Sequence, residues 1–244
     1  MVRPLALASA LALLAGCATK SDVDQLAQKV DALQQQVDGI KSQPAGAAAK
    51  PTAEDEQKAM EVYQAIQEAM NAGKVGEAKA KLAELEGKYG STRAASRAGR
   101  MANELGVVGK EVHNSDITTT NWYQGTTSDL DIEHGTTLLV FFEQWCPHCQ
   151  REVPKLEVTY EKYKGRMNLV CLTKVTRSSS DEKVAEFVKE HGLTYPVAKE
   201  DGSASRTFAV SGIPAAAVVK DGKVLWRGHP AQLNDQMLER FING

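Results

Sequence analysis

Cys146 and Cys149 stand two residues apart in the run Trp145-Cys146-Pro147-His148-Cys149. Two thiols at that spacing can hold a metal ion, close a structural disulfide, or pass electron pairs by interconverting dithiol and disulfide. The pair follows the apolar run TTLLVFF and precedes QREVPKLEVTYEKY, so it lies where a buried strand gives way to a helix. A helix begins with backbone N–H groups that have no intrahelical partner, and its dipole is positive there. That favours the thiolate at the first cysteine, so Cys146 reads as the attacking sulfur, exposed at the end of the sheet. Cys149, one turn on, lies beneath it and is placed to resolve a mixed disulfide. His148 can give a hydrogen bond or positive charge to the thiolate, which makes it a better leaving group and the pair more oxidising. Pro147 fits the first turn because its missing N–H would be unpaired there in any case. Glu143, three residues before Cys146, reads equally as a nearby base, an electrostatic brake on the thiolate, or a solvated carboxylate at a strand end.

The elements that must position this pair follow from the periodicity of residues 106–244. MNLVCLTKV is a second buried strand, and SDEKVAEFVKEHG is a helix opened by Ser180 or Asp181 and closed by Gly192. AAAVVKDGKVLWRG is a hairpin turning at Asp221-Gly222, and LNDQMLERFIN is a final helix. Strand, helix, strand, helix, hairpin, helix describes an α/β domain with a mixed sheet flanked by helices.

Upstream, the chain changes texture several times. Residues 1–16 carry one Arg and then an apolar stretch too short to span a bilayer, the layout of a secretory signal. Val23, Leu26, Val30, Leu33, Val37 and Ile40 recur at spacings of three and four, the seam of a short coiled coil within residues 17–40. A lone helix of that length is marginal in water, so the seam implies a homo-oligomer through residues 21–40, with packing on another part of the chain or a frayed spacer as the alternatives. Residues 41–53 hold two prolines among small residues and read as a linker. Residues 54–105 return to helical periodicity, with Ala59, Tyr63, Ile66 and Met70 on one face, Gly73 as a C-cap, and Val75, Ala78, Leu82 and Leu85 on a second helix. Ser91 or Thr92 opens a third helix bearing Ala95, Ala98, Met101 and Leu105. The order Gly73, Ala78, Leu82, Leu85 resembles one tetratricopeptide repeat, with Gly90 where that family usually has Pro. Such repeats need about three copies to bury a core, so this segment reads either as a partner-binding surface or as a helical spacer packed on its neighbour.

Composition removes several function classes. Over 244 residues, 29 Lys and Arg set against 31 Asp and Glu leave a formal charge of -2, which advertises no nucleic-acid partner. His113, His134, His191 and His229 are scattered among polar residues, and no second CxxC completes a four-ligand zinc site, so no metal site is assigned. Cys171, inside the apolar run NLVCL, reads as a buried inert thiol, with a third redox partner as the alternative; Trp122 and Trp226 read as packing residues and TRSSSDE as a loop and helix cap.

Four further stretches carry resemblances. Leu14, Ala15, Gly16 and Cys17 resemble the bacterial lipobox, which implies diacylglycerol on Cys17 and a lipid anchor in the cell envelope; Ala18 after it favours the outer membrane. Trp145-Cys146-Pro147-His148-Cys149, with Pro154 five residues after Cys149, is similar to the active-site motif of the thioredoxin fold, where that proline kinks the helix. VSGIPAAAVVKDGKVLWRG is similar to that fold's cis-proline segment, which makes Pro214 the cis residue and places Ile213 and Pro214 opposite the dithiol, with substrate pairing to the backbone before the proline as an added strand. EFVKEHGLTYPVAKEDGSASRTFAVSGIPAAAVV resembles the TlpA/ResA branch of membrane-tethered periplasmic thiol-disulfide oxidoreductases, over residues 109–244. The resemblance implies protein thiols and disulfides as substrates, Trp145 beside the substrate site, no cofactor beyond the Cys146-Cys149 disulfide, and an electron donor of the DsbD/CcdA type. It leans towards a reductase or isomerase. Val140 stands where cytoplasmic thioredoxins carry a buried Asp, and the Pro-His dipeptide is more usual in the oxidant DsbA, which keeps a dithiol oxidase as the alternative, beside an envelope scaffold or metal carrier.

Overall fold

The computed structural model describes residues 29–30, 50–177 and 179–244. The signal segment 1–16, Cys17, the linker residues 41–49 and all of the coiled-coil segment except Lys29 and Val30 lie outside the described residues. Pro51–Gly244 form one compact unit.

Helix α1 (Ala53–Asn71) opens on a capping box: Thr52 Oγ1 accepts from the Asp55 N–H at 3.1 Å, and Asp55 Oδ2 accepts from the Thr52 N–H at 2.9 Å. It ends where Gly73 takes φ +69°, which lets the Lys74 N–H reach back to the Ala69 carbonyl at 2.8 Å. Helix α2 (Val75–Tyr89) folds back on α1, and Ile66, Ala78 and Leu85 between them are fully buried. Thr92 caps α3 (Arg93–Arg97), and the expected third helix is broken at Ala98, beyond which α4 (Gly99–Val107) continues with Met101 and Leu105 in the same small core.

Strand β1 (Thr119–Gln124) follows, then β2 (Thr136–Phe142), α5 (Pro147–Glu152), α6 (Leu156–Tyr163), β3 (Asn168–Thr173), α7 (Asp181–Glu190), β4 (Val197–Glu200), α8 (Ser203–Thr207), β5 (Ala215–Lys220), β6 (Lys223–Gly228) and α9 (Asp235–Asn243). Among the described residues the strands form one six-stranded sheet in the order β1-β4-β3-β2-β5-β6. Strands β2, β3 and β4 run parallel, whereas β1 and the β5-β6 hairpin are antiparallel to their neighbours, giving a thioredoxin-like mixed sheet flanked by helices. The hairpin turns at Asp221 (φ +48°) and Gly222 (φ +76°), the left-handed pair that a two-residue turn requires.

Side chains alternate through the central strands, because successive Cβ atoms point to opposite faces. Leu138, Val140 and Phe142 of β2, with Leu169 and Cys171 of β3, face one core; Leu139, Phe141, Val170 and Leu172 face the other. Both faces are covered, so β2 is buried at every position and reads as an unbroken apolar run.

The segment after α4 is sutured to the hairpin by backbone hydrogen bonds: Gly109 N to Val224 O at 2.8 Å, Val224 N to Lys110 O at 3.0 Å, and Val112 N to Gly222 O at 2.7 Å. Arg240 of α9 donates to the Ala72 carbonyl at 2.9 Å, and Lys79 of α2 to the Val108 carbonyl at 2.8 Å. These bonds join the helical segment to the sheet domain.

Candidate active site

The C-terminal ends of the parallel strands set the site. Strand β2 stops at Phe142, the chain turns through Glu143, Gln144 and Trp145, and Cys146 becomes the N-cap of α5 with Pro147 at its first position. Cys149 lies within the first turn, and the Gln150 N–H bonds the Cys146 carbonyl at 3.0 Å. Pro154 has no N–H to continue the ladder, so the expected long helix is divided into α5 and α6. The Tyr195 hydroxyl donates to the Val153 carbonyl at 2.8 Å beside that break.

Across from α5, the Ile213–Pro214 peptide is cis, and the Ile213 carbonyl faces Cys146 Sγ at 3.8 Å. Cys146 is 6 % exposed and Cys149 fully buried. The expectation of an exposed Cys146 is therefore corrected: the Ile213 carbonyl approaches the sulfur from one side and the sheet core packs behind it. Both thiols are free, as is Cys171, which lies fully buried on the same face of the sheet. Burial pushes the Cys149 thiol well above the usual range, and the nearby Cys146 and Glu143 charges push in the same direction against a hydrogen bond from the Glu143 backbone. Burial likewise raises the Cys171 thiol, opposed by a hydrogen bond with Tyr195.

Glu143 is 7 % exposed, so it is not the solvated strand-end carboxylate that was one reading of its position. Its Oε2 accepts from Trp145 Nε1 at 2.6 Å and from the Thr176 hydroxyl. The Arg177 guanidinium stacks over the Trp145 ring at 4.2 Å from its centroid, with Arg177 itself at φ +55°. An Arg151 terminal nitrogen donates to His148 Nδ1 at 2.7 Å, so that ring nitrogen acts as an acceptor.

Thr176, Arg177 and Arg151 were not singled out from sequence. A signal existed for the first two: they follow a strand parallel to β2 and therefore emerge at the same edge of the sheet as the dithiol. His113 and His134 pair with Glu133 and Asp131, and His191 packs against Phe187. Among the described residues no group of three or more His, Cys, Asp or Glu is placed to hold a metal ion.

A dithiol at a strand-to-helix junction on this sheet defines a thioredoxin-like thiol-disulfide oxidoreductase. Residues 108–227 match the sequence model of the AhpC/TSA family. Thiol-disulfide oxidoreductase ResA of Bacillus thuringiensis subsp. konkukian is 30% identical over 136 residues, covering 54% of this chain and 75% of its own. Sporulation thiol-disulfide oxidoreductase A of Bacillus subtilis is 25% identical over 87 residues, covering 35% and 53%. The solved structure of StoA from Bacillus subtilis has a TM-score of 0.39 at 22% identity, covering 45% of this chain and 83% of that one. The chain belongs to the ResA family of thiol-disulfide oxidoreductases. Helices α1 to α4 precede the part that the AhpC/TSA model matches.

Proposed function

We propose that the protein reduces or isomerises disulfides in polypeptide substrates through Cys146 and Cys149. The Cys146 thiolate attacks one sulfur of the substrate disulfide, a mixed disulfide forms, and the other substrate sulfur leaves as a thiolate. Cys149 then loses its proton and attacks Cys146 Sγ, releasing the second substrate thiolate. The substrate has gained two electrons and the enzyme holds them no longer, so a donor dithiol must restore it; a membrane-bound donor of the DsbD/CcdA type fits that need. The Cys146-Cys149 disulfide is itself the redox group in this scheme.

The observation that carries the reading is the 3.8 Å approach of Cys146 Sγ to the Ile213 carbonyl. An extended substrate pairing with the backbone at Ile213 and Pro214 delivers its cysteine to that sulfur, with Trp145 beside the site. Pro147 fixes the helix start, His148 tunes the thiolate, and Glu143 modulates Cys149. Burial of Cys149 keeps it a protonated thiol until the mixed disulfide forms, which separates the attacking role from the resolving one.

One observation favours the oxidase as the second reading. The Arg151 guanidinium on His148 adds positive charge at the mouth of α5, which stabilises a thiolate and hence the reduced enzyme. Anchoring through acylated Cys17 on the periplasmic side of the envelope, and self-association through residues 21–40, complete the proposal. Among the described residues no helix is long and apolar enough to cross a membrane.

Insulin reduction by the purified chain tests the reaction. The wild type is expected to turn over, Cys146→Ser to be inactive, and Cys149→Ser to accumulate a mixed disulfide with substrate. Turnover unchanged in Cys146→Ser overturns the assignment. Equilibration with glutathione gives the reduction potential and decides between reductase and oxidase.

A further inference from the structure

A cavity of about 300 Å³ lies between the helical segment and the turn after β6, with Tyr63, Met70, Arg97, Arg100, Glu104 and His229 in its walls. The Arg100 guanidinium lies against Gly212, so closely that a Cβ placed on Gly212 would stand 2.9 Å from an Arg100 terminal nitrogen. Gly212 leads directly into Ile213, whose carbonyl faces Cys146 Sγ. On the other side, His229 is held below its ordinary titration range by burial, and it responds to Glu152, Arg100 and His148 together. Gly212 thus joins the cavity wall at Arg100 to the Ile213 carbonyl beside the dithiol.

Basic groups outnumber acidic ones in the cavity wall. Arg97 and Arg100 are exposed, and neither makes a hydrogen bond or close ion pair among the described residues. Glu104 is the one carboxylate in the cavity wall, half-buried, with both Arg100 and the buried Arg227 acting on it. Arg151 on His148, Arg177 over Trp145, and Lys174 in the groove beside Ser211 extend the cationic surround. The chain as a whole carries a formal charge of -2, so this is a local concentration of charge. Guanidiniums that make no close ion pair in a partly enclosed polar cavity suit a carboxylate, which they can meet with two parallel hydrogen bonds.

We propose that the cavity receives an acidic side chain of the client polypeptide, an Asp or Glu about two residues from the client's reacting cysteine, and that Arg100 is the specificity-determining residue. The spacing follows from an extended strand laid beside Ile213, which advances roughly 3.3 Å per residue and passes Gly212 and the guanidinium one or two residues on. This rests on the dithiol-exchange reading above. It assigns the helical segment a role in choosing the client, because Arg100 belongs to α4.

The test compares disulfide-linked peptides that differ only in Glu, Gln or Lys about two residues from the cysteine. The measurement is the second-order rate of their reduction by the reduced full chain at low salt. Wild type is expected to reduce the Glu peptide about fivefold faster than the Gln peptide, the size of one partly solvated ion pair. Arg100→Gln brings the ratio near one, and Arg100→Glu reverses the order in favour of Lys. Equal rates for all peptides with wild type, or a Glu preference that survives both substitutions, overturns the proposal while leaving dithiol exchange intact. If wild type reduces none of the peptides, the exchange reading falls and the proposal falls with it.

Discussion

Replacing Glu143 in two different ways separates its charge from its bonding. Trp145 Nε1 and the Thr176 hydroxyl converge on a single oxygen, Oε2, of a carboxylate that is 7 % exposed. Glu143→Gln keeps an oxygen where both donors point, so the two bonds survive as neutral ones. The loss of charge assistance is offset by no longer burying an ion, and the net cost should lie within about 1 kcal/mol. Glu143→Ala removes the acceptor altogether. The Thr176 hydroxyl then loses its acceptor, while Trp145 Nε1 keeps only the Thr176 oxygen at 3.3 Å, so at about 1–3 kcal/mol for the orphaned group roughly 2 kcal/mol of stability should go. Urea unfolding followed by Trp fluorescence measures both. Both variants should also let Cys149 titrate lower than in wild type, because the Glu143 charge is one of the influences raising it, and thiol alkylation against pH reads that shift. Equal destabilisation by Gln and Ala would refute the reasoning, since it would mean that the convergent bonds contribute nothing.

Leu85 is fully buried in the small core of the helical segment, and Leu85→Ala is expected to lower stability by about 3 kcal/mol in urea unfolding followed by circular dichroism. The Tyr123 hydroxyl, and then Lys199 at 3.1 Å, hold the Asp181 carboxyl below its ordinary value of 3.8. That stabilisation is present above pH 3.8 and is lost as the pH falls through the lowered folded value, so Asp181→Asn should flatten the acid limb of stability against pH.

Much of the sheet domain was legible because local pattern and tertiary role coincide there. The β2 run is apolar at every position because both its faces are covered, and Asp221-Gly222 marks a turn whose backbone few other pairs adopt. Strand β1 was not legible: TTNWYQ lies at the sheet edge, is partly exposed throughout, and pairs with β4 through two register shifts, so no alternation survives in it. Strand β4 is four residues long and α8 five, too short to show a period. At the site, the positions of Cys146 and Cys149 followed from the strand-to-helix junction, but the near closure over Cys146 did not. It depends on a turn 67 residues away in sequence. Arg227 shows the same limit. Nothing in the sequence singled it out, yet its guanidinium is buried and donates to the carbonyls of Phe208, Ala216 and Gly228, a set brought together by the fold.

The sutures between residues 109–112 and the β5-β6 hairpin bear on how the chain is made. Synthesis runs from the N-terminus, so α1 to α4 are complete while the stretch that holds them, residues 222–224, is still untranslated. At roughly 5–20 residues per second the wait is on the order of ten seconds. Until then Val107, almost wholly buried in the finished protein, lacks the β5-β6 hairpin that completes its cover. Chains truncated before residue 222 should therefore leave that apolar end of α4 open to a hydrophobic dye, and the full-length chain should not.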